Sequence, residues 1–151
     1  MVDFTVTCAS ANACFGRPPT GTNGLEIGWK YLRPTCVPNT ANGTFRLKVE
    51  VRMRVDNGET SLIGNKWASG MRAEARLEPV ETGLQYTRQW RGKAVRPLLP
   101  EKSYDERLTL VTDNVSSLNE WRLHVRLVWE IPLARDVTRE FISPVSKPVD
   151  C

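Results

Sequence analysis

Histidine is the residue type best suited to acid–base catalysis near neutral pH, and this chain contains one, His124. Catalysis by a Ser–His or Cys–His pair would therefore have to use this ring. His124 alternates with the apolar residues of its segment and lies between Arg122 and Arg126. We therefore expect it to face solvent, as an ordinary surface residue rather than a catalytic one.

Carboxylates offer a second possible chemistry. Glu101, Asp105 and Glu106 lie close together in the sequence and could supply the acid pair of a glycosidase, although a solvated loop explains them equally well. The sequence motifs of nucleophile elbows, phosphate-binding loops, dinucleotide-binding turns, zinc proteases and EF-hands do not occur in the chain. The sequence therefore predicts no catalytic residues, no metal site and no cofactor, and we expect a protein that is not an enzyme.

Two tryptophans in polar surroundings are the best candidates for binding. Trp67 lies in a turn, and Trp90 ends a polar segment in which Arg88 and Arg91 flank it. Tryptophan and arginine are enriched in protein-binding hot spots, and an aromatic ring beside arginines can also stack on a sugar or a base. These four residues form the predicted binding set, with the alternative that both tryptophans cap the ends of the core.

Four cysteines occur, and none of them forms a C-x-x-C pair, which weakens zinc-finger and thioredoxin-type interpretations. Cys8, Cys14 and Cys36 lie in or beside a long turn-rich segment, so we expect at least one disulfide among them. Cys151 is the last residue and could remain free or bond a partner chain. Reduced thiols are the alternative, and the sequence does not choose a pairing.

The elements that would position these residues follow from a period-two pattern. Residues 45–55 and 121–131 alternate apolar and mostly charged side chains. Successive side chains of a strand point to opposite faces, so each segment has one buried and one wet face, as in an antiparallel sheet covered on one side. The expected buried residues are Val49, Val51, Leu123, Val125 and Leu127, with Trp29, Trp121 and Trp129. The expected exposed residues are Arg52, Arg54, Arg122 and Arg126.

A length of 151 residues fits one domain with a full core. Shorter strand patterns bring the total to seven to nine strands, with no amphipathic helix of useful length. The expected strands cover residues 4–8, 25–31, 44–55, 60–63, 71–77, 84–90, 104–111, 120–131 and 137–142. The expected irregular segments are a long N-terminal loop at 9–24, a loop at 38–43, residues 91–100, a turn at 113–119 and a tail at 143–151.

The late part of the chain resembles the late strands of an immunoglobulin-like sandwich. Residues 99–104 form a short proline-led segment, a strand-like stretch containing 108–110 follows, and a long strand covers 121–127. The antibody-type Cys…Trp…Cys spacing is absent. A jelly roll, which also ends in long alternating strands, is the close alternative. The predicted fold class is therefore a single antiparallel β-sandwich over residues 1–151, immunoglobulin-like or jelly-roll.

The chain is mildly basic, with a formal charge of +4, and no apolar stretch is long enough to cross a bilayer. The leading hypothesis is a non-catalytic structural or interaction subunit that forms homo-oligomers in a larger assembly. A viral capsid, decoration or surface protein fits this, which favours a virion or extracellular location over the cytoplasm.

Two alternatives use the same surfaces for other partners. One is a carbohydrate-binding module that stacks a glycan on Trp67, Trp90 or Tyr86. The other is nucleic-acid binding along an arginine-striped sheet face, made of Arg46, Lys48, Arg52, Arg54, Arg122 and Arg126. Against the second stand Glu50, Glu74, Glu78 and Glu130, which interrupt the stripes as cross-strand charge pairs.

Overall fold

A computed structural model describes residues 25–31, 35–39, 44–58, 67–79, 90–112, 115–116 and 121–142. Within these ranges the chain contains strands and turns and no helix, so the predicted all-β class is confirmed. The strands are β1 Glu26–Tyr31, β2 Thr35–Asn39, β3 Thr44–Asp56, β4 Gly70–Pro79, β5 Arg91–Val95, β6 Ser103–Val111, β7 Val115–Ser116, β8 Trp121–Glu130 and β9 Val137–Ile142.

The first sheet is built around β3, the longest of these strands. Val51 of β3 lies between Tyr31 of β1 and Leu108 of β6, and both neighbours run antiparallel to it. Lys48 of β3 is likewise paired with β2 on one side and with β6 on the other. β1 and β2 therefore pair along one side of β3, and β6 and β7 pair along its other side. The described sheet is three strands wide.

The second sheet has the order β5-β4-β8-β9, and all its pairings are antiparallel. β4 and β8 pair over their whole length, from Gly70 opposite Glu130 to Pro79 opposite Trp121. β5 and β9 lie at the two edges of this described sheet. The β8–β9 hairpin turns at residues 131–136.

Inner-face residues of both sheets belong to one hydrophobic core. The rings of Trp29 and Trp129 lie 6.0 Å apart between the sheets, and the indole N–H of Trp129 donates to the carbonyl oxygen of Arg54 at 3.0 Å. β4 supplies Ala73 and Ala75 to the same core, where small side chains leave space for larger partners. The predicted core residues Val49, Val51, Leu123, Val125, Leu127, Trp29 and Trp129 are all buried, as the alternation requires.

Several local predictions are wrong, and each has a physical reason. Residues 91–95 form β5 rather than an irregular segment. Their side chains do not alternate between apolar and polar, and the strand is defined by its pairing with β4. Pro38 lies in β2 at the edge of the described sheet, where a missing N–H is tolerated, and the predicted turn at 113–119 contains β7. Arg54 and Arg122 are exposed as predicted, but Arg52 and Arg126 are half-buried by their neighbours.

Asn57, directly after β3, is 6% exposed, and its side chain joins three segments. It donates to the carbonyl oxygens of Ala68 at 3.0 Å and Leu99 at 2.9 Å, and it accepts the N–H of Ala68 at 2.8 Å. Asn57 therefore holds one end of the two sheets together. The predicted return strand at 60–63 lies outside the described residues.

Other predictions also fall outside the described residues. They concern the strand at 4–8, the loop at 9–24, residues 84–89 of the polar strand, and the tail at 143–151. The side chains of Cys8, Cys14, Cys36, Cys151, Arg88, Tyr86 and Trp121 lie outside as well. The disulfide hypothesis therefore stays a prediction.

Val125 provides the test of the core. It is 1% exposed on the inner face of β8, so Val125→Ala removes buried methyl groups and should cost about 1–3 kcal/mol of unfolding free energy. Urea unfolding followed by tryptophan fluorescence measures this. Arg122→Ala, at an exposed position of the same strand, should change the free energy by less than about 0.5 kcal/mol. Equal effects of the two substitutions would contradict the assigned register.

Candidate functional site

On the outer face of the four-stranded sheet, charged residues of neighbouring strands lie directly opposite one another. Glu74 of β4 lies opposite Arg126 of β8, which in turn lies opposite Glu140 of β9. In the next row Arg76 lies opposite His124. Because cross-strand neighbours on one face are close enough to interact, this register allows the carboxylates and cations to pair.

The pairs are short and interlinked. Arg126 lies 2.5 Å from a carboxylate oxygen of Glu74, and Arg72 bridges Glu74 at 3.2 Å and Glu130 at 2.6 Å. Arg96 also donates to Glu130. The hydrogen bond from Arg96, joined by one from Arg72, outweighs the effect of burial and holds the pKa of Glu130 below its ordinary value.

Trp90 lies over this charged face. The guanidinium carbons of Arg76 and Arg126 lie 4.4 and 4.2 Å from its ring centroid, within cation–π range, and the His124 ring meets it edge-on at 4.8 Å. The chain places Trp90 there because the next residue, Arg91, pairs with Ala75, directly before Arg76. We call Trp90, Arg76, Arg126 and His124 the Trp90 cluster.

The prediction that His124 faces solvent is wrong. Its side chain does lie on the outer face of β8, but the residue is only 8% exposed because Trp90 and neighbouring side chains cover it. Nδ1 lies 2.9 Å from Glu78 Oε1, and Nε2 lies 3.3 Å from Glu140 Oε2. Both ring nitrogens therefore face carboxylates, and neither is directed at a hydroxyl or thiol that it could activate.

Glu78 is held from two sides. Burial by itself would raise the pKa of Glu78, but the hydrogen bonds and positive charges of His124 and Arg76 outweigh it and lower that pKa. Arg76 approaches the same carboxylate to 2.6 Å. Glu78 is therefore a fixed anion beneath the Trp90 cluster rather than a proton donor.

The acid pair considered from the sequence does not assemble. Asp105 and Glu106 are consecutive in β6, so their side chains point to opposite faces of the sheet. Arg52 binds Asp105 through two hydrogen bonds of 2.7 and 2.6 Å, and this contact lowers the pKa of Asp105. Glu101 lies in the turn before β6. Asp105 is therefore an ionised partner of Arg52 and is unsuited to act as a general acid.

The described members of the predicted binding set, Trp67, Trp90 and Arg91, do not form one patch. Trp67 is half-buried at the Gly70 end of β4, whereas Arg91 pairs with Ala75, about 17 Å further along that strand. Trp90 is half-buried in its cluster, and Arg91 is exposed on β5. Trp90 and Arg91 are thus adjacent, while Trp67 belongs to a different end of the molecule.

That end forms a second surface, which we call the turn end: residues 57–58, 67–70, 96–102 and 131–136. Backbone hydrogen bonds tie its segments together, from Ser69 to Glu130 at 2.8 Å, from Leu98 to Ser69 at 2.9 Å and from Asn57 to Lys102 at 3.0 Å. The Ile131 N–H donates to Asp136 at 3.2 Å and closes the β8–β9 turn. The segments of the turn end are therefore held to one another by hydrogen bonds, and we refer to them as a scaffold.

Two leucines project from this scaffold. Leu133 is 92% exposed and has a φ of 58°, and Leu99 is 47% exposed. Leucine rarely adopts a left-handed backbone conformation, which costs roughly 1–2 kcal/mol for a residue with a Cβ. Sequence reasoning missed both residues, although a leucine within the otherwise small and polar turn after Pro132 was an available signal.

No family model, curated protein or solved structure matches the chain. Among the described residues, no helix is long and apolar enough to cross a membrane. In the same part of the chain, no three His, Cys, Asp or Glu side chains are grouped so that they could hold a metal ion.

The Glu130 ion pairs predict acid sensitivity. The folded-state pKa of Glu130 lies below its ordinary value of 4.5, so its contribution to stability is present above that pH and is lost as the pH falls through the folded pKa. Arg96→Met removes the largest cause of the shift. The stability difference between wild type and Arg96→Met should therefore shrink as the pH is lowered through 4.5 and on through the lower folded-state pKa.

Urea unfolding at each pH measures this difference, and Arg122→Met, at an exposed arginine of the same sheet, is the matched control. We expect the difference between the control and the wild type to be small and nearly independent of pH. A constant difference for Arg96→Met would mean that Arg96 does not act through Glu130.

Proposed function

We propose that the chain is a non-catalytic β-sandwich subunit, immunoglobulin-like or jelly-roll, that binds other protein chains, including copies of itself, in a larger assembly. A viral capsid, decoration or surface protein is the kind of assembly intended, at a virion or cell surface. The sandwich is supported by two antiparallel sheets whose inner faces share one core.

The observation that carries the binding proposal is Leu133. Scattered exposed apolar residues are ordinary on protein surfaces and need no explanation. Leu133 combines nearly complete exposure with a left-handed backbone, so it is unfavourable in the isolated chain on two counts. A local free-energy cost of this kind is characteristic of functional positions, and burial of the Leu133 side chain against a partner would offset it.

The chemistry around Leu133 suits a second copy of the same chain as the partner. Lys102 and Arg135 are exposed at the turn end, and so are Glu101 and Asp136, so each of these two turns places a cation next to an anion. In a two-fold arrangement the same patch meets itself, so each cation can face the other copy's anion. Leu99 and Leu133 would supply the apolar centre of that contact.

Trp90 and Arg91 remain candidate anchors for a second contact. Arg91 is exposed in β5, at an edge of the described sheet, and exposed edge strands pair readily with neighbouring chains. Two surfaces of this kind, at an end and at a side, would allow a subunit to contact more than one neighbour. The interface should bury more than roughly 1,000 Å² in total.

The alternative partners are less well supported. Two guanidinium groups already lie over the Trp90 ring, which leaves less of it for a sugar to stack on. The arginine stripes proposed for nucleic acid are partly neutralised, since Arg52 and Arg54 pair with Asp105, and Arg126 pairs with Glu74. Both features favour a protein partner over a glycan or an RNA.

Leu133→Asn separates binding from stability. Asparagine tolerates the left-handed conformation and removes the exposed apolar side chain, so thermal stability should stay equal or rise slightly. Self-association should weaken at least about tenfold, which corresponds to a loss of about 1.4 kcal/mol of binding free energy at a central hot-spot position. Analytical ultracentrifugation over a concentration series, with a thermal melt of each variant, measures both quantities.

Val111→Thr is the matched control, because Val111 is 36% exposed at the end of β6 away from the turn end, in the other sheet, and its replacement should leave association unchanged. The double change Trp90→Ala with Arg91→Ala tests the second contact. A chain that stays monomeric at high concentration and binds an oligosaccharide or RNA would overturn the proposal.

A further inference from the structure

His124 holds two carboxylates at once. Its ring lies on β8 between Glu78 of β4 and Glu140 of β9, with Nδ1 and Nε2 each directed at an oxygen atom, at 2.9 and 3.3 Å. The ring therefore ties three neighbouring strands through side chains, in addition to their backbone pairing.

The number of protons on the ring decides whether both contacts can exist. A neutral imidazole has one N–H and one bare nitrogen, whereas an ionised carboxylate can only accept hydrogen bonds. Both contacts are hydrogen bonds only when the ring carries two protons and a positive charge. With one proton, one carboxylate faces a lone pair and is repelled.

The charged groups around the ring come from each strand packed beside it. Within the described residues they are Arg76 and Glu78 of β4, Arg122 and Arg126 of β8, and Glu140 of β9, with the Trp90 ring against the imidazole. Arg76 and Arg126 are paired with Glu78 and Glu74, which reduces their repulsion of an imidazolium. Arg122 is exposed, so solvent screens it.

The two carboxylates differ in how firmly they are held. Glu78 is also bound by Arg76 at 2.6 Å, and its side chain is 31% exposed. Glu140 makes the longer contact, and its side chain is 48% exposed on an edge strand. When the ring loses a proton, Glu140 can therefore turn into solvent while Nδ1–H keeps its bond to Glu78.

We propose that His124 is a proton-controlled tie between β8 and β9, which holds Glu140 while the ring is doubly protonated and releases it when Nε2 loses its proton. Histidine is the side chain that ordinarily titrates between about pH 5 and pH 8, so this is the range in which the tie is tested. The released side would be the outer face of β9, at the edge of the described sheet. This inference does not depend on the proposed assembly function.

The experiment uses the fact that the chain has one histidine, so its ring-proton NMR signal needs no assignment among several. The ring signal, the Glu140 side-chain carboxyl carbon and the amide signals of 139–142 are followed across the pH range. We expect all three to change with the same midpoint. His124→Gln should abolish the pH response of the β9 signals in this range.

Glu140→Gln is the decisive variant. A glutamine amide can donate a hydrogen bond to a bare Nε2, so its contact with the ring no longer requires the second proton. The midpoint of the ring titration should therefore move to lower pH, by at least about 0.3 units. Glu26→Gln, which removes an exposed carboxylate from β1, should leave the midpoint unchanged.

Circular dichroism checks the folding of each variant, and the two glutamate variants should fold because Glu140 and Glu26 are both exposed. Equal midpoints for wild type, Glu140→Gln and Glu26→Gln would overturn the proposal. So would β9 signals that do not follow the ring in the wild type.

Discussion

The register of β8 between β4 and β9 is the constraint on which the rest of the structure depends. Side chains of a strand alternate with a period of two, so a slip of one residue would bring His124 and Arg126 into the core and expose Val125 and Leu127. The observed register buries the apolar set completely. The same register aligns carboxylates with cations across three strands, so the core and the charged face are fixed together.

The outer face of the four-stranded sheet behaves as a packed layer rather than as a solvated surface. His124 and Val128 are buried there, at 8% and 2% exposure, although both point away from the core. Exposed ion pairs contribute little individually, but interlinked pairs and a tryptophan in cation–π contact exclude water more effectively. This layer explains why a charged strand face carries a buried histidine.

The turn end contrasts with this layer. Asn57 and the backbone bonds around it brace the turns, yet the apolar residues that they present are exposed rather than covered. In the proposed assembly function, a supported and exposed leucine would lose little flexibility on contact with a partner. The outer face of the four-stranded sheet is therefore covered by its own side chains, whereas the turn end exposes apolar side chains.

The sequence by itself determined the strands with clear alternation and the residues that they bury, since period two is visible in residues 45–55 and 121–131. It did not reveal β5 or β2, because their pairing partners rather than their own side chains define them. Only the tertiary structure decided that Trp90 covers His124 and that Glu78 and Glu140 meet it, because these contacts join residues far apart in the chain. The conformation of Leu133 was likewise set by closure of the β8–β9 turn, which residue type alone does not encode.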